Sequence, residues 1–90
     1  MPRPFKEKKI QSEIIATNFA PSFIEAEFLS EVVISKEEIE AIRLGDVEKM
    51  RQRAAATAMG ISQPTFYRLL SQARGKMADA LVNGKLIRVK

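Results

Sequence analysis

The chain has 90 residues, a formal net charge of +4, and neither cysteine nor histidine. That length supports one domain with a modest core. Without cysteine there is no disulfide or thiolate chemistry, and a zinc site lacks its usual ligands, so no metal and no cofactor are expected. No apolar run approaches the roughly 18–20 residues that span a bilayer, and the start Met-Pro-Arg-Pro-Phe-Lys is followed by no signal-type stretch. The expected location is cytoplasmic, with no membrane partner.

Charge is unevenly spread. Residues 1–9 hold Arg3, Lys6, Lys8 and Lys9 against Glu7. Residues 10–48 hold only Lys36 and Arg43 against nine acids, and residues 49–90 hold nine bases against Asp79 alone. A polyanion-binding surface needs such a segregation. The acidic middle is expected to face away from nucleic acid or toward a protein.

In chain order, residues 1–9 read as a flexible basic arm, and 10–90 as a single domain. Ile14-Ile15-Ala16-Thr17 suggests a short strand. After Pro21, Ser22-x-x-Glu25 reads as a capping box opening a short helix, with Phe23, Ile24 and Phe28 toward the core. Glu31-Val32-Val33-Ile34 is β-branched and extended.

Ser35-x-x-Glu38 is a second capping box, and a firm helix follows it. Its inward residues are expected to be Ile39, Ile42 and Val47, with Leu44 alongside. Gly45 should weaken it by about 1 kcal/mol relative to alanine. Its acids Glu37, Glu38 and Glu40 read as solvated. Met50 and Arg51 mark the turn into a helix from Gln52 to Met59.

The last helix is expected from about Gln63 to Val82. Its stripe is Phe66, Leu69, Leu70, Ala73, Met77, Ala80 and Leu81, at three- and four-residue steps. Pro64 suits the first turn, and Asn83-Gly84 is a stop signal. Residues 85–90 alternate as an edge strand would, to pair with the strand near Ile14 or with another subunit.

Between these last two helices lies the most specific signal, Ala55-Ala56-x-x-Met59-Gly60-Ile61-Ser62-x-x-Thr65-Phe66-x-x-Leu69-Leu70. A small residue at Ala56 lets two helices cross closely, Gly60 supplies the turn, and Ser62 caps the second helix. The layout is that of a helix-turn-helix unit over about 52–75, a device that sets a helix in the DNA major groove.

The face opposite the apolar stripe shows residues that read or grip DNA. Gln63, Thr65, Arg68 and Gln72 are the candidates for base readout, since Arg pairs with guanine and Gln with adenine. Arg51, Arg53, Ser62, Tyr67, Ser71, Arg74 and Lys76 are the candidates for backbone contact. Arg3 in the arm is a candidate for the minor groove. An ordinary solvated amphipathic helix is the plainer reading of the same face. Catalysis finds no support, because Ser62 and Ser71 lack a histidine base and no glycine-rich phosphate loop exists.

Several blocks together resemble one family: Met1-Pro-Arg-Pro4, Glu31-Val-Val, Glu37-Glu-Ile-Glu-Ala-Ile-Arg-Leu44 with Asp46, Met59-Gly-Ile-Ser62 with Thr65-Phe66, and Ala78-Asp-Ala-Leu-Val-Asn-Gly-Lys85. The family comprises small bacterial and archaeal predicted DNA-binding proteins whose helix-turn-helix is similar to sigma-factor region 4. The chain departs from it where Glu7 and Gln11 stand in a region that often holds cysteines. It departs again with Gln52-Arg53-Ala54 in place of Gln-Glu-Glu, and with Gly75 in place of a basic residue.

The residue pattern and the resemblance together lead to a mostly α fold: a sigma-region-4-like three-helix core, a short N-terminal helix, and minor β structure from the N-terminal segment and tail. It implies binding of double-stranded DNA in transcription control, with Ser62, Gln63, Thr65, Tyr67 and Arg68 in the recognition region. A homodimer is expected, because one short recognition helix gives limited affinity and two half-sites about 34 Å apart would add contacts. Two rival readings are a module binding RNA polymerase or another protein through the acidic segment 10–48, and RNA binding through the basic face.

Overall fold

The computed structural model describes Ile14 and residues 16–90. The expected arm at 1–9, Arg3 included, lies outside the described residues. In chain order come strand β1 (Asn18–Phe19), a 3-10 turn at Ala26–Phe28, and strand β2 (Glu31–Ile34). Helix α1 (Lys36–Ile42), a π-helical turn at Arg43–Val47, helix α2 (Gln52–Met59), helix α3 (Gln63–Asn83) and strand β3 (Leu86–Val89) follow. The fold is thus mostly helical, with three α-helices and one small sheet.

Helix ends follow local chemistry closely. Ser35 Oγ accepts from the Glu38 N–H at 3.0 Å, and the Ser35 N–H donates back to Glu38 Oε1 at 2.8 Å, completing the capping box. Gly60 ends α2 with φ of 70°, and the next N–H, of Ile61, donates to the Ala56 carbonyl at 3.0 Å. Only a residue without a Cβ takes that left-handed conformation at little cost. Ser62 then caps α3 through the Thr65 N–H.

The core fills the angle between the helices. Ala41, Leu44, Ala55, Ala56, Met59, Phe66 and Leu70 form one buried cluster, with Ile42, Met50, Ala58, Ile61 and Leu69 packed on it. α3 packs against α1, α2 and β2, so one long helix carries most of the tertiary contact. It is also the longest helix among the described residues. No helix among the described residues is long and apolar enough to cross a membrane.

The phase of the first helix differs from the expectation. The Glu48 N–H donates to the Arg43 carbonyl, an i to i+5 bond that holds one extra residue in the turn. That residue rotates Leu44 fully inward and turns Val47 out to solvent. Gly45 has a different role from a weak helix former. A Cβ there would lie 3.2 Å from Leu70 Cδ2 and 3.3 Å from Phe66 Cζ, so the turn lies close to α3 and those side chains would have to give by a few tenths of an ångström.

Glu38 and Glu40 are also not solvated; they are 2 % and 0 % exposed. Burying a carboxylate is costly without partners, and both have them. Arg43 donates Nε and Nη2 to the two Glu40 oxygens at 3.0 Å each. Lys76 reaches Glu38 from α3.

The sheet runs in the order β1-β3-β2. β3 is therefore the central strand, not an edge. It pairs antiparallel with β1, Asn18 opposite Arg88 and Phe19 opposite Ile87. It pairs in parallel with β2, from Glu31 opposite Leu86 to Ile34 opposite Val89. A parallel pair needs a long crossover, and here the whole helical unit supplies it. The first strand comes later than expected, since Ile14 and Ala16 belong to none.

No α-helix follows Ser22. The single 3-10 turn is too short to own an apolar face, and Phe23, Ile24 and Phe28 are exposed rather than inward. Leu81 is likewise exposed. It lies on the flank of α3's apolar stripe, in the last turns of the helix, and borders a surface groove instead of the core.

Candidate nucleic-acid interface

α2 begins without an acid in its first turn and without a side-chain cap. Arg51 holds the N-cap position in extended conformation, and Gln52, Arg53 and Ala54 are exposed. The first N–H groups of a helix carry partial positive charge, which two arginines reinforce. An arginine at this end is unfavourable on its own and suits an anion.

α3 presents Gln63, Tyr67, Arg68, Ser71 and Gln72 to solvent over its first three turns. Thr65 is half-buried, and its hydroxyl oxygen accepts from Ser62 Oγ at 2.8 Å. Ser62 and Thr65 are thus tied to each other at the start of the helix. Ser62 Oγ both accepts at the cap and donates to Thr65, whereas the exposed Gln63 and Gln72 make no hydrogen bond among the described residues.

The basic residues divide into two sets. Arg74 donates Nε to Asp46 Oδ2 at 3.1 Å, and Lys76 donates Nζ to Glu38 Oε1 at 2.9 Å. Both brace α3 against the first helical segment. The hydrogen bond from Arg74 holds the Asp46 carboxyl below the ordinary range, and Asp46 in turn raises Arg74. Arg51, Arg53 and Arg68 make no ion pair among the described residues.

Sequence reasoning did not single out Lys49. It links the π-helical turn to α2 with φ of 56°, a conformation usually left to glycine. The Met50 N–H after it donates to the Leu44 carbonyl at 2.9 Å, which fixes the turn. Lys49 is exposed and extends the basic stretch to 49–53. Only the charge count 49–90 pointed to it.

The acids that meet α3 are used internally. Asp46 and Glu38 are bound as described, and Asp79 accepts from Lys85 Nζ at 2.9 Å and from Asn83 Nδ2 at 2.7 Å. The Lys85 hydrogen bond, with that of Asn83, lowers the Asp79 carboxyl.

The molecule is therefore a small, mostly helical protein with a basic face on two successive helices, whose Arg51, Arg53 and Arg68 make no ion pair among the described residues. The chain belongs to the family described as "Protein of unknown function DUF134", whose model matches residues 1–90. It is 49 % identical over 90 residues to UPF0251 protein Teth514_1147 of Thermoanaerobacter sp. (strain X514), covering all of this chain and 80 % of that protein. It is 50 % identical to UPF0251 protein TTE1845 of Caldanaerobacter subterraneus subsp. tengcongensis, covering all of this chain and 76 % of the relative. A UPF0251 protein of the archaeon Methanothermobacter thermautotrophicus is 47 % identical, with all of this chain matched to 47 % of the relative. No solved structure matches the chain.

Proposed function

We propose that the chain binds double-stranded DNA in transcription control, with the start of α3 in the major groove. On this reading α2, the turn Gly60–Ser62 and α3 are a helix-turn-helix like that of sigma-factor region 4. The observation that carries the reading is the set of exposed, unpaired arginines at 51, 53 and 68 beside acids bound internally. A merely solvated face gains nothing from arginines at an uncapped helix start, where they oppose the helix dipole.

Roles divide by position. Gln63, Arg68 and Gln72 read base edges, as their fork and amide geometries allow. Arg51, Arg53 and Lys49 grip phosphates, and Tyr67 and Ser71 flank them. Arg74 and Lys76 mainly brace the fold.

Selection of bound fragments from a random duplex pool, at two salt concentrations, tests the reading. An enriched motif and weaker binding at high salt are expected. No motif and no salt dependence would sink it. A structured RNA that competes better than duplex DNA at matched salt would favour RNA instead. A polymerase pull-down that survives Arg68→Ala with Gln63→Ala would favour a protein-binding module.

A further inference from the structure

A groove of about 360 Å³ opens between the β1 segment and the end of α3. Phe19, Pro21, Ala80, Leu81 and Ile87 line it, and Lys85 is its one charged lining residue. Two residues beyond Pro21, Phe23 stands fully exposed with φ of 69°. A bulky residue in that left-handed conformation is rare and costly, and such strain persists where something is gained elsewhere. Phe23 is not among the groove's own lining residues, although Pro21 two positions before it is.

We infer that this face is a homodimer interface, in which Phe23 of each copy enters the groove of the other. A twofold interface must be self-complementary, with knob and hole on one patch. Phe23 and the groove satisfy that requirement, because only Ser22 separates Phe23 from Pro21 in the lining.

The area also suffices. A covered aromatic side chain removes about 150–250 Å², so the exposed parts of Phe19, Phe23 and Phe28 offer roughly 350–600 Å² per copy. Exposed Leu81 and Val82 bring this close to the ~800 Å² per partner of a stable interface. The inference does not depend on DNA binding, since none of these residues is assigned to DNA.

Sedimentation of the full chain over a micromolar concentration series tests it, with circular dichroism melts to verify folding. A reversible dimer is expected. Phe23→Ser and Leu81→Asp should each weaken it roughly 30-fold or more. Phe23 is wholly exposed, so its variant keeps the test decisive even if Leu81→Asp misfolds. A monomer throughout the series overturns the inference. So does a dimer indifferent to Phe23→Ser, or a dimer that forms only after residues 1–9 are removed, which would assign the groove to that segment.

Discussion

Lys76 Nζ lies 2.9 Å from Glu38 Oε1, although 38 positions separate them in the chain. The same carboxyl caps the first turn of α1, so one buried acid joins that helix start to the middle of α3. Glu38→Gln keeps the shape and removes the charge. It should cost about 1–3 kcal/mol, the range for hydrogen bonds to charged groups. Urea unfolding of the variant checks this, and an unchanged midpoint would make the pair incidental.

Acid should weaken the fold through the same contacts. Burial pushes the Glu38 carboxyl up, but the hydrogen bonds from Lys76 and Ser35 outweigh it and leave the group below its ordinary value. Arg74 lowers Asp46. With folded values below unfolded ones, the unfolded chain binds more protons in acid. The stabilisation is complete above the ordinary carboxylate value near ~4 and is lost as pH falls through the folded values. The Tm should therefore hold from neutrality to about pH 5 and drop below about pH 4. Combining Glu38→Gln with Asp46→Asn should flatten that drop; an unaltered profile would place the acid sensitivity elsewhere.

Gly45 makes a steric prediction. Gly45→Val should destabilise by about 1–3 kcal/mol, because its branches must displace buried Leu70 and Phe66. Thermal melts measure it. A neutral result would mean that those two side chains can yield.

On the proposed function the arginines should behave differently. Arg68→Ala should cost about 1–3 kcal/mol at the preferred site and relax choice at one base pair. Arg53→Ala should weaken all duplexes and lower the salt slope by nearly one unit. Titrations against matched and scrambled duplexes decide. Equal loss on every sequence with Arg68→Ala would make it a phosphate contact.

Asp46 should restrain Arg74. Asp46→Asn weakens that pair and frees a guanidinium on α3, so binding to every duplex should tighten and the salt slope steepen by about one unit. Arg74→Ala in the same background should reverse the gain. If Asp46→Asn leaves the slope alone, Arg74 does not face the nucleic acid.

Local signals in the sequence carried far. Ser35, Gly60, Ser62 and Gly84 mark helix ends because each acts on backbone groups within a turn of itself, and α2 and α3 fall where those marks lie. Periodicity named Phe66, Leu70 and Ala73 as inward. Features set by distant partners were not legible. Glu38 and Glu40 read as solvated because nothing nearby announces Lys76, or that Arg43 folds back with a buried fork. The π-helical turn shifts the register of Leu44 and Val47 by one extra residue, which a steady helical period does not contain. The tail read as an edge because strand order depends on partners far back in the chain. In the site, residue types on α3 were readable, but the division of its cations into braced and unpaired was not.

The parallel pairing of β2 with β3 bears on how the protein forms. Arg88 meets Glu31 across 57 positions, so closing that loop has a large entropic cost until the helices have shortened it. The helical segment, whose contacts are mostly nearer in sequence, is set to assemble first and bring the two ends together. The sheet then acts as a late latch. Weakening Arg88 or Val89 should quicken unfolding and leave the folding rate nearly untouched.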